Sequence, residues 1–374
     1  MTNLVRVAPG ALVVGKPLPW TVYDAHGRVL LTQGYVIHSN AQLEQLFEQG
    51  LFHPRMPEKK ETPEATEDVR DRNPFYDYPV LLNTLEATLN AITAGEASAF
   101  KRLLGLTRLV QRSCQEAPDP CLALVHLYSV EPTAFEHTLF HAIVCQMAAD
   151  QLGLDNNRAS ILVAAALTAN IALHPILDRL NASPRTLSDD QRDIIHRHPE
   201  RSAQALSQAG IDNSLLLDIV RQHHERADGA GYPRGLEGGD LLPEAELLSY
   251  AELYVALITR RGYRPRLSIG DARKSLREAG SLSARPRLCQ ALLAALTPYP
   301  PGCLVRLANN EVAVVTHRPQ VASGHRAQAI ISAQGDRYLG AFQRHCQELD
   351  YNIRAQVEPD VMPSMDFGLL WGFG

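Results

Sequence analysis

The sequence predicts a mainly α protein, with an all-helical body flanked by small β-rich modules at its N-terminal and C-terminal ends. Three observations predict it. From about residue 79 to 297 apolar side chains recur at helical spacing, as in Phe140, Ile143, Val144 and Met147. At both ends the pattern changes to short apolar runs separated by turn residues, such as "CLVRL" and "VAVVT" around "ANNE". Between the first module and the helices, "PEKKETPEATEDVRDRNP" (57–74) is charged and nearly free of apolar residues, a composition that cannot form a core.

Residues 1–56 make the first module, where "ALVVG" and "WTVYDAHGRVLLTQGYVI" supply β-like runs and "DAHG" predicts a hairpin loop. A short helix follows, capped by Ser39 or Asn40, with Leu43, Leu46 and Phe47 at helical spacing and Gly50 as its stop. A linker is placed at 57–78, connecting helices at 79–130 and the main helical domain at 131–297. Within that domain 137–152 carries one apolar face, while 158–173 is apolar all round and predicts a single central helix. Ser188 with Gln191 makes a capping box for a helix running to His198, which Pro199 follows. Further helices are predicted over 214–224 and 243–260. Residues 298–374 return to β character, and "AQAIISAQGDRYL" predicts a second hairpin there.

With 374 residues the chain exceeds one ordinary domain, and 45% hydrophobic against 21% charged residues allows a sizeable core. The net charge of −5 gives no electrostatic footprint for DNA or an anionic membrane. The most apolar run, 161–173, is well short of the roughly 20 residues a membrane-spanning helix needs. "MTNLVRVAPG" lacks a charged-then-apolar signal segment, and the six cysteines include no CxxC pair, so free thiols in a reducing cytoplasm are expected.

One stretch carries chemistry. "HHERADGAGYPRGL" (223–236) sets two adjacent imidazoles at a predicted helix end, before a loop of glycines, a tyrosine and a proline. On a continuous helix adjacent side chains diverge by about 100°, so the pair converges only if the helix frays there or if it serves two neighbouring ions. Gly229 and Gly231 allow backbone angles that other residues avoid. Tyr232 offers a stacking face and Pro233 stiffens the loop.

On these residues the run 131–297 resembles the HD-GYP domain, a branch of the HD phosphohydrolases that act on the bacterial messenger cyclic di-GMP. The resemblance implies two or three metal ions, iron or manganese, that activate a water against a phosphodiester bond. It implies metal ligands at His137, at His198 in "IIHRHPERS", at the paired His223 and His224, and at Glu252 in "SYAELYVAL", where the family usually has aspartate. It implies ligand-binding roles for Gly231, Tyr232 and Pro233 of the loop, and phosphate contacts for Arg261 and Arg264 of "RRGYRPRL".

The departure lies in the apolar helix. Where the family reads approximately "AALLHDIGKIGIP", this chain reads "AAALTANIALHPI". Ala169 stands at the signature histidine, Asn170 at the signature aspartate and Leu173 at the catalytic lysine; Thr133 stands where some members place a further glutamate ligand. The aspartate bridges two ions in the family, and a two-metal mechanism needs ions about 3.5–4 Å apart sharing a water. An amide in its place offers only a weak neutral oxygen. His174 shares a helical face with Asn170 if the helix continues, but Pro175 disfavours helix there. His141, one turn past His137, could face the same cavity, but it is expected to be a core histidine bonded to a backbone carbonyl.

The expectation is a degenerate HD-GYP protein in cyclic di-GMP signalling with no catalytic residues, acting as a nucleotide receptor or a protein-interaction scaffold. The alternative is an active metal-dependent cyclic di-GMP phosphodiesterase with a reduced metal site. The surviving donors suit one divalent ion (iron, manganese or zinc), or persist as a hydrogen-bonded cluster without metal. Cyclic di-GMP, a diguanylate cyclase or other signalling protein, and a second copy of the chain are the partners this reading implies.

Overall fold

The computed structural model describes residues 73–374 except 185, 284, 321–323, 360–361, 363–364 and 374. Before them it describes residues 4–6, 12, 14, 18, 20–24, 26–37, 39, 42–43, 46 and 52–54. Residues 57–72 of the expected linker lie outside these, as do most of "ALVVG" and Asn40, Phe47 and Gly50 of the expected short helix.

Among the described residues the protein is mainly α, with two antiparallel sheets carrying its ends. The first sheet, in order β1-β4-β2-β3, comprises β1 (Leu4–Arg6), β2 (Val22–Tyr23), β3 (Val29–Leu31) and β4 (Phe52–Pro54). "DAHG" is the expected hairpin loop: Asp24 Oδ1 accepts from the backbone N–H groups of His26 and Arg28, each at 2.8 Å. Ser39 begins the short helical turn, its hydroxyl accepting from Gln42 N. Leu12, Leu18, Val22, Ile37, Leu43 and Leu46 form a small core of their own.

The helical body runs α1 (Pro74–Thr93), α2 (Ala99–Glu116), α3 (Pro118–Leu127), α4 (Ala134–Leu152), α5 (Asn156–Thr168) and α6 (His174–Ala182). It continues through α7 (Asp189–Gln208), α8 (Ser214–Gln222), α9 (Pro243–Ile258), α10 (Ile269–Ser281) and α11 (Pro286–Leu296). Side chains start most of these helices. Asn73, Asp155, Asn213 and Ser268 cap α1, α5, α8 and α10, and Thr133 and Ser188 open α4 and α7 with capping boxes. Each such cap satisfies an N–H that the helix itself leaves unpaired and contributes about 1 kcal/mol. Glu136 of the first box also accepts from the buried Tyr78 hydroxyl at 2.9 Å, which ties α1 to α4.

The centre of the body is α4 rather than the 158–173 stretch alone. Residues 137–149 are buried without a break, so this helix has no solvent face, unlike the one-faced helix its spacing predicts. It is enclosed by α5, α9, α11 and α3, and its alanines let those neighbours come close. The predicted single helix over 158–173 is two elements. α5 stops at Thr168, residues 169–173 turn, and α6 starts at His174 with Pro175 in its first turn. Proline needs no N–H in the first turn of a helix, so Pro175 suits the start of α6. The expectation that Pro175 disfavours helix at His174 is corrected accordingly: His174 starts α6.

The second sheet, in order β8-β7-β6-β5-β9, shares the helical core. It comprises β5 (Leu304–Leu307), β6 (Val312–His317), β7 (Arg326–Ile331), β8 (Arg337–His345) and β9 (Ile353–Val357). Arg318 donates to Asp119 of α3 at 2.6 Å, and Trp371 Nε1 donates to the Thr316 carbonyl while its ring packs on Phe75 of α1. All six cysteines are buried and free. No helix among the described residues is long and apolar enough to cross a membrane.

Candidate metal centre

His198 lies inside α7, not at its end. Pro199 is part of that helix and leaves the Ile195 carbonyl without its usual helical N–H. His198 Nδ1 takes that carbonyl at 2.5 Å. A carbonyl can only accept, so Nδ1 carries the imidazole proton and Nε2 holds the lone pair. His223, where α8 ends, repeats the arrangement: Nδ1 donates to the Val220 carbonyl at 2.7 Å. The two Nε2 atoms face each other at 3.1 Å. Because α8 stops at Gln222, His224 leaves the helical track and its ring centroid lies 4.1 Å from that of His223. Ligand nitrogens of His198, His223 and His224 all lie within 4.8 Å of one another.

Glu252, from the middle of α9, stands between this cluster and α4. Its Oε2 is 3.9 Å from His223 Nε2 and 3.8 Å from His224 Nδ1. Its Oε1 accepts from Asn170 Nδ2 at 2.6 Å and lies 3.5 Å from His141 Nδ1. Asn170 therefore turns its donor side, not its carbonyl oxygen, toward the carboxylate. His137 and His141 line the same cavity from successive turns of α4. The expected carbonyl partner of His141 is not found: its buried Nδ1 has no hydrogen-bond partner. Leu173 forms apolar wall, Ala169 is fully buried and does not line the cavity, and Thr133 serves as the helix cap of α4.

Burial sets the electrostatics. It pushes the His198 imidazole down to about 4 and His141 to about 3, the latter aided by the Arg261 charge. His223 and His224 are held well below the ordinary histidine range by burial and then by neighbouring imidazoles. Burial raises Glu252 to about 8, against the Asn170 hydrogen bond and Arg261. Neutral imidazoles with inward lone pairs, beside one acid that gives up its proton only to a strong partner, are a donor set for a cation. The 3.1 Å between His198 and His223 fits two ligands of one ion, which at about 2.1 Å each lie at most about 4.2 Å apart. Such an ion, held by His198, His223, His224 and Glu252, would polarise a bound phosphate oxygen or acidify a water.

The glycine–tyrosine loop forms one rim of a cavity of about 1140 Å³. Buried Glu225 organises the loop by accepting from Arg234 N at 2.6 Å and Leu236 N at 2.9 Å. Gly229 has φ +75°, as its place in the motif predicts, whereas Gly231 is required by close approach: a Cβ there would lie 2.3 Å from Arg226 N. Tyr232 lines the cavity, but its ring already stacks on His196, with centroids 4.4 Å apart, and packs on His224 at 4.8 Å. It supports an imidazole in addition to facing the cavity. Pro233 lies on the exposed side of the loop, outside the cavity lining. Opposite, Arg261 donates to Asn181 Oδ1 and Arg264 to the Ala256 carbonyl, and both line the wall. Gly262 between them lets the loop lie on the end of α6, since a Cβ there would meet the Ala182 carbonyl at 2.2 Å.

This constellation has counterparts. The HD domain family matches residues 106–282. The chain is 29% identical over 225 residues to the cyclic di-GMP phosphodiesterase PA4108 of Pseudomonas aeruginosa, covering 59% of this chain and 53% of that protein. It is 31% identical over 199 residues to the cyclic di-GMP phosphodiesterase response regulator RpfG of Xanthomonas campestris pv. campestris, covering 52% of each. Residues 106–282 are thus similar to HD domains, and the curated relatives carry names that refer to cyclic di-GMP. The chain spans about half the length of these curated relatives. The HDG"Y"P protein Bd1817 of Bdellovibrio bacteriovorus shares the fold of this chain, with a TM-score of 0.56 at 16% identity over 78% of this chain and 98% of that one.

Sequence reasoning ranked His141 as a core histidine above a cavity-facing group, and it missed Asn181 beside Arg261 and His196 behind Tyr232. The i, i+4 spacing of His137 and His141 was the available signal for the first. The other two sit on elements whose approach is tertiary, and no local pattern marks them.

Proposed function

We propose that the chain binds cyclic di-GMP in this cavity, through an ion on the His198–His223–His224 cluster and through Arg261 and Arg264, and that it acts as a receptor without opening the ring. The observation that carries this reading is the Asn170–Glu252 hydrogen bond of 2.6 Å. At the position from which a carboxylate would bridge two ions, an amide instead donates a proton to the one acid of the site. Leu173 adds that no cationic side chain meets the leaving group from that wall. The cavity of about 1140 Å³ exceeds the usual range for drug-sized ligands, as a dinucleotide site requires. The relatives' names support the nucleotide, and the facing Nε2 lone pairs support the ion.

A second reading, an active phosphodiesterase with a reduced metal site, is favoured by the convergence of three imidazoles and Glu252 on one region. One purified sample separates the two. Elemental analysis counts bound metal, incubation with cyclic di-GMP and Mn²⁺ or Fe²⁺ looks for linear dinucleotide, and calorimetry measures binding. Metal and binding without product is the expected result. Linear product overturns the receptor reading in favour of the phosphodiesterase. Metal without nucleotide binding leaves docking to a signalling protein as the role of this fold.

A further inference from the structure

We infer that Tyr263, at the tip of the loop between α9 and α10, is the stacking platform for one base of the nucleotide, which lies on its ring at the mouth of the cavity. The inference rests on the reading that this cavity takes a nucleotide. It adds where a base is held, which neither the ion cluster nor the two arginines supply.

Among the described residues three tyrosines line the cavity, and two are already engaged. Tyr232 lies against His196 and His224. Tyr250 is buried, and its hydroxyl donates to Glu246 at 2.8 Å. Tyr263 is 60% exposed, and among the described residues its ring stacks on no other ring and its hydroxyl makes no hydrogen bond. A large ring left in water at the edge of a cavity has a face to cover, and every base has a π-face that covers it.

The loop holds that ring in place. Arg261 N donates to the Arg264 carbonyl at 3.0 Å and Arg264 N to the Arg261 carbonyl at 3.1 Å, so Gly262 and Tyr263 form the tip of a closed turn. The turn is tied to its surroundings on both sides. Gly262 N donates to the Asn181 carbonyl at 2.7 Å, Arg261 to Asn181 Oδ1, and Arg264 to the Ala256 carbonyl at 2.6 Å. A platform fixed before binding loses little freedom when the ligand arrives, and tyrosine has only two side-chain torsions to order.

The groups around the ring suit a nucleotide. Arg261 and Arg264 line the cavity on either side of Tyr263 in the turn. A base and its phosphate are one sugar apart, so a base on this ring leaves its phosphate to the guanidinium groups. Beyond the end of α6, on which Gly262 packs, Pro184 and Leu187 also line the cavity and offer apolar surface to a base. Stacking tolerates any base, so the seat holds one without selecting it.

The test titrates the full chain, loaded with Mn²⁺, with cyclic di-GMP by calorimetry and by fluorescence. Tyr263→Ala should weaken binding about tenfold with the metal content unchanged. Tyr263→Phe should bind within about twofold of wild type, because the ring face and not the hydroxyl is used. Tyr263→Trp should bind and show saturable quenching of its added indole, a signal that a purely structural side chain would not give. The native Trp20 and Trp371 lie outside the cavity lining, and the wild-type titration corrects for them. Wild-type affinity in Tyr263→Ala, Tyr263→Phe as weak as Tyr263→Ala, or binding by Tyr263→Trp without quenching overturns the inference and leaves the receptor reading standing. If the wild type binds no cyclic di-GMP the receptor reading falls, and guanosine monophosphate then tests the seat alone: saturable quenching in Tyr263→Trp sustains it, and no quenching overturns it. Turnover of cyclic di-GMP overturns the receptor reading and leaves the base seat standing, with its loss in Tyr263→Ala read as a raised KM.

Discussion

Asn170→Asp is the most informative single change in this cavity. The wild-type contact is an N–H···O bond of 2.6 Å to Glu252. The substitution sets two carboxylates at the same separation in a buried site. Two full charges at that distance repel by about 6 kcal/mol at an effective dielectric of 20. That is worth more than four pKa units at about 1.4 kcal/mol each, so without metal the pair keeps a proton at neutral pH. The retained proton replaces the amide as donor, so the added buried acid should lower the stability of the metal-free variant by about 1–3 kcal/mol. A divalent ion reverses the sign, because it displaces the shared proton and gains an anionic ligand. An ion present at a hundred times its Kd adds about 2.7 kcal/mol to whichever protein binds it. Urea unfolding followed by circular dichroism, in chelator and in Mn²⁺, reads both effects. The variant should unfold earlier than wild type in chelator and be raised more than wild type by Mn²⁺. Equal midpoints in chelator, with no larger response to Mn²⁺, would refute the reasoning.

Three other expectations follow from the same geometry. Gly231→Ala drives a Cβ against the Arg226 backbone, so calorimetry should record at least tenfold weaker cyclic di-GMP binding and a stability loss of about 1–3 kcal/mol. Arg261→Ala removes a charged donor from the wall and should weaken nucleotide binding by about 10–100-fold while leaving the metal content unchanged, as calorimetry and elemental analysis would report. His126, buried between the Leu122 carbonyl and the Tyr254 hydroxyl, is pushed down by burial from 6.5 to about 4. The unfolded chain therefore binds the extra proton first, and stability present above pH 6.5 is lost as pH falls toward 4, by about 3 kcal/mol at this residue. Denaturation at pH 7.5 and 5 should show the loss, and His126→Gln should reduce it.

Much of this architecture was legible in the chain. The helical body, the capping box at Ser188–Gln191, the "DAHG" loop and the two C-terminal hairpins all follow from local patterns. The paired histidines, His198 and Glu252 were marked by motif, and they do approach one another. What escaped was tertiary. β9 pairs with β5 across some fifty residues, and its sequence "IRAQV" carries little apolar signal. α4 looks one-faced by spacing because alanines on its other faces count as weakly apolar, yet those are the faces its neighbours cover. Pro199 and Pro175 both suggest breaks, but one sits within a helix whose lost hydrogen bond a side chain replaces, and the other opens a new helix. His141 was misjudged because a buried histidine usually finds a carbonyl, and here the nearby acceptor is an acid from another helix.

The proline in α7 has a further consequence for how the site is inherited. Alanine is about 3 kcal/mol more favourable than proline in a helix interior, so Pro199→Ala should make α7 sturdier. It would also hand the Ile195 carbonyl back to the backbone, in competition with His198 Nδ1. Released from that anchor, the imidazole could turn over and present a proton where it now presents a lone pair, and loss of such an outer partner typically costs 10–100-fold in metal affinity. A repair to the scaffold would thus blunt the instrument mounted on it. The "HP" dipeptide works as one unit, in which a gap in the main chain dictates the tautomer of a ligand.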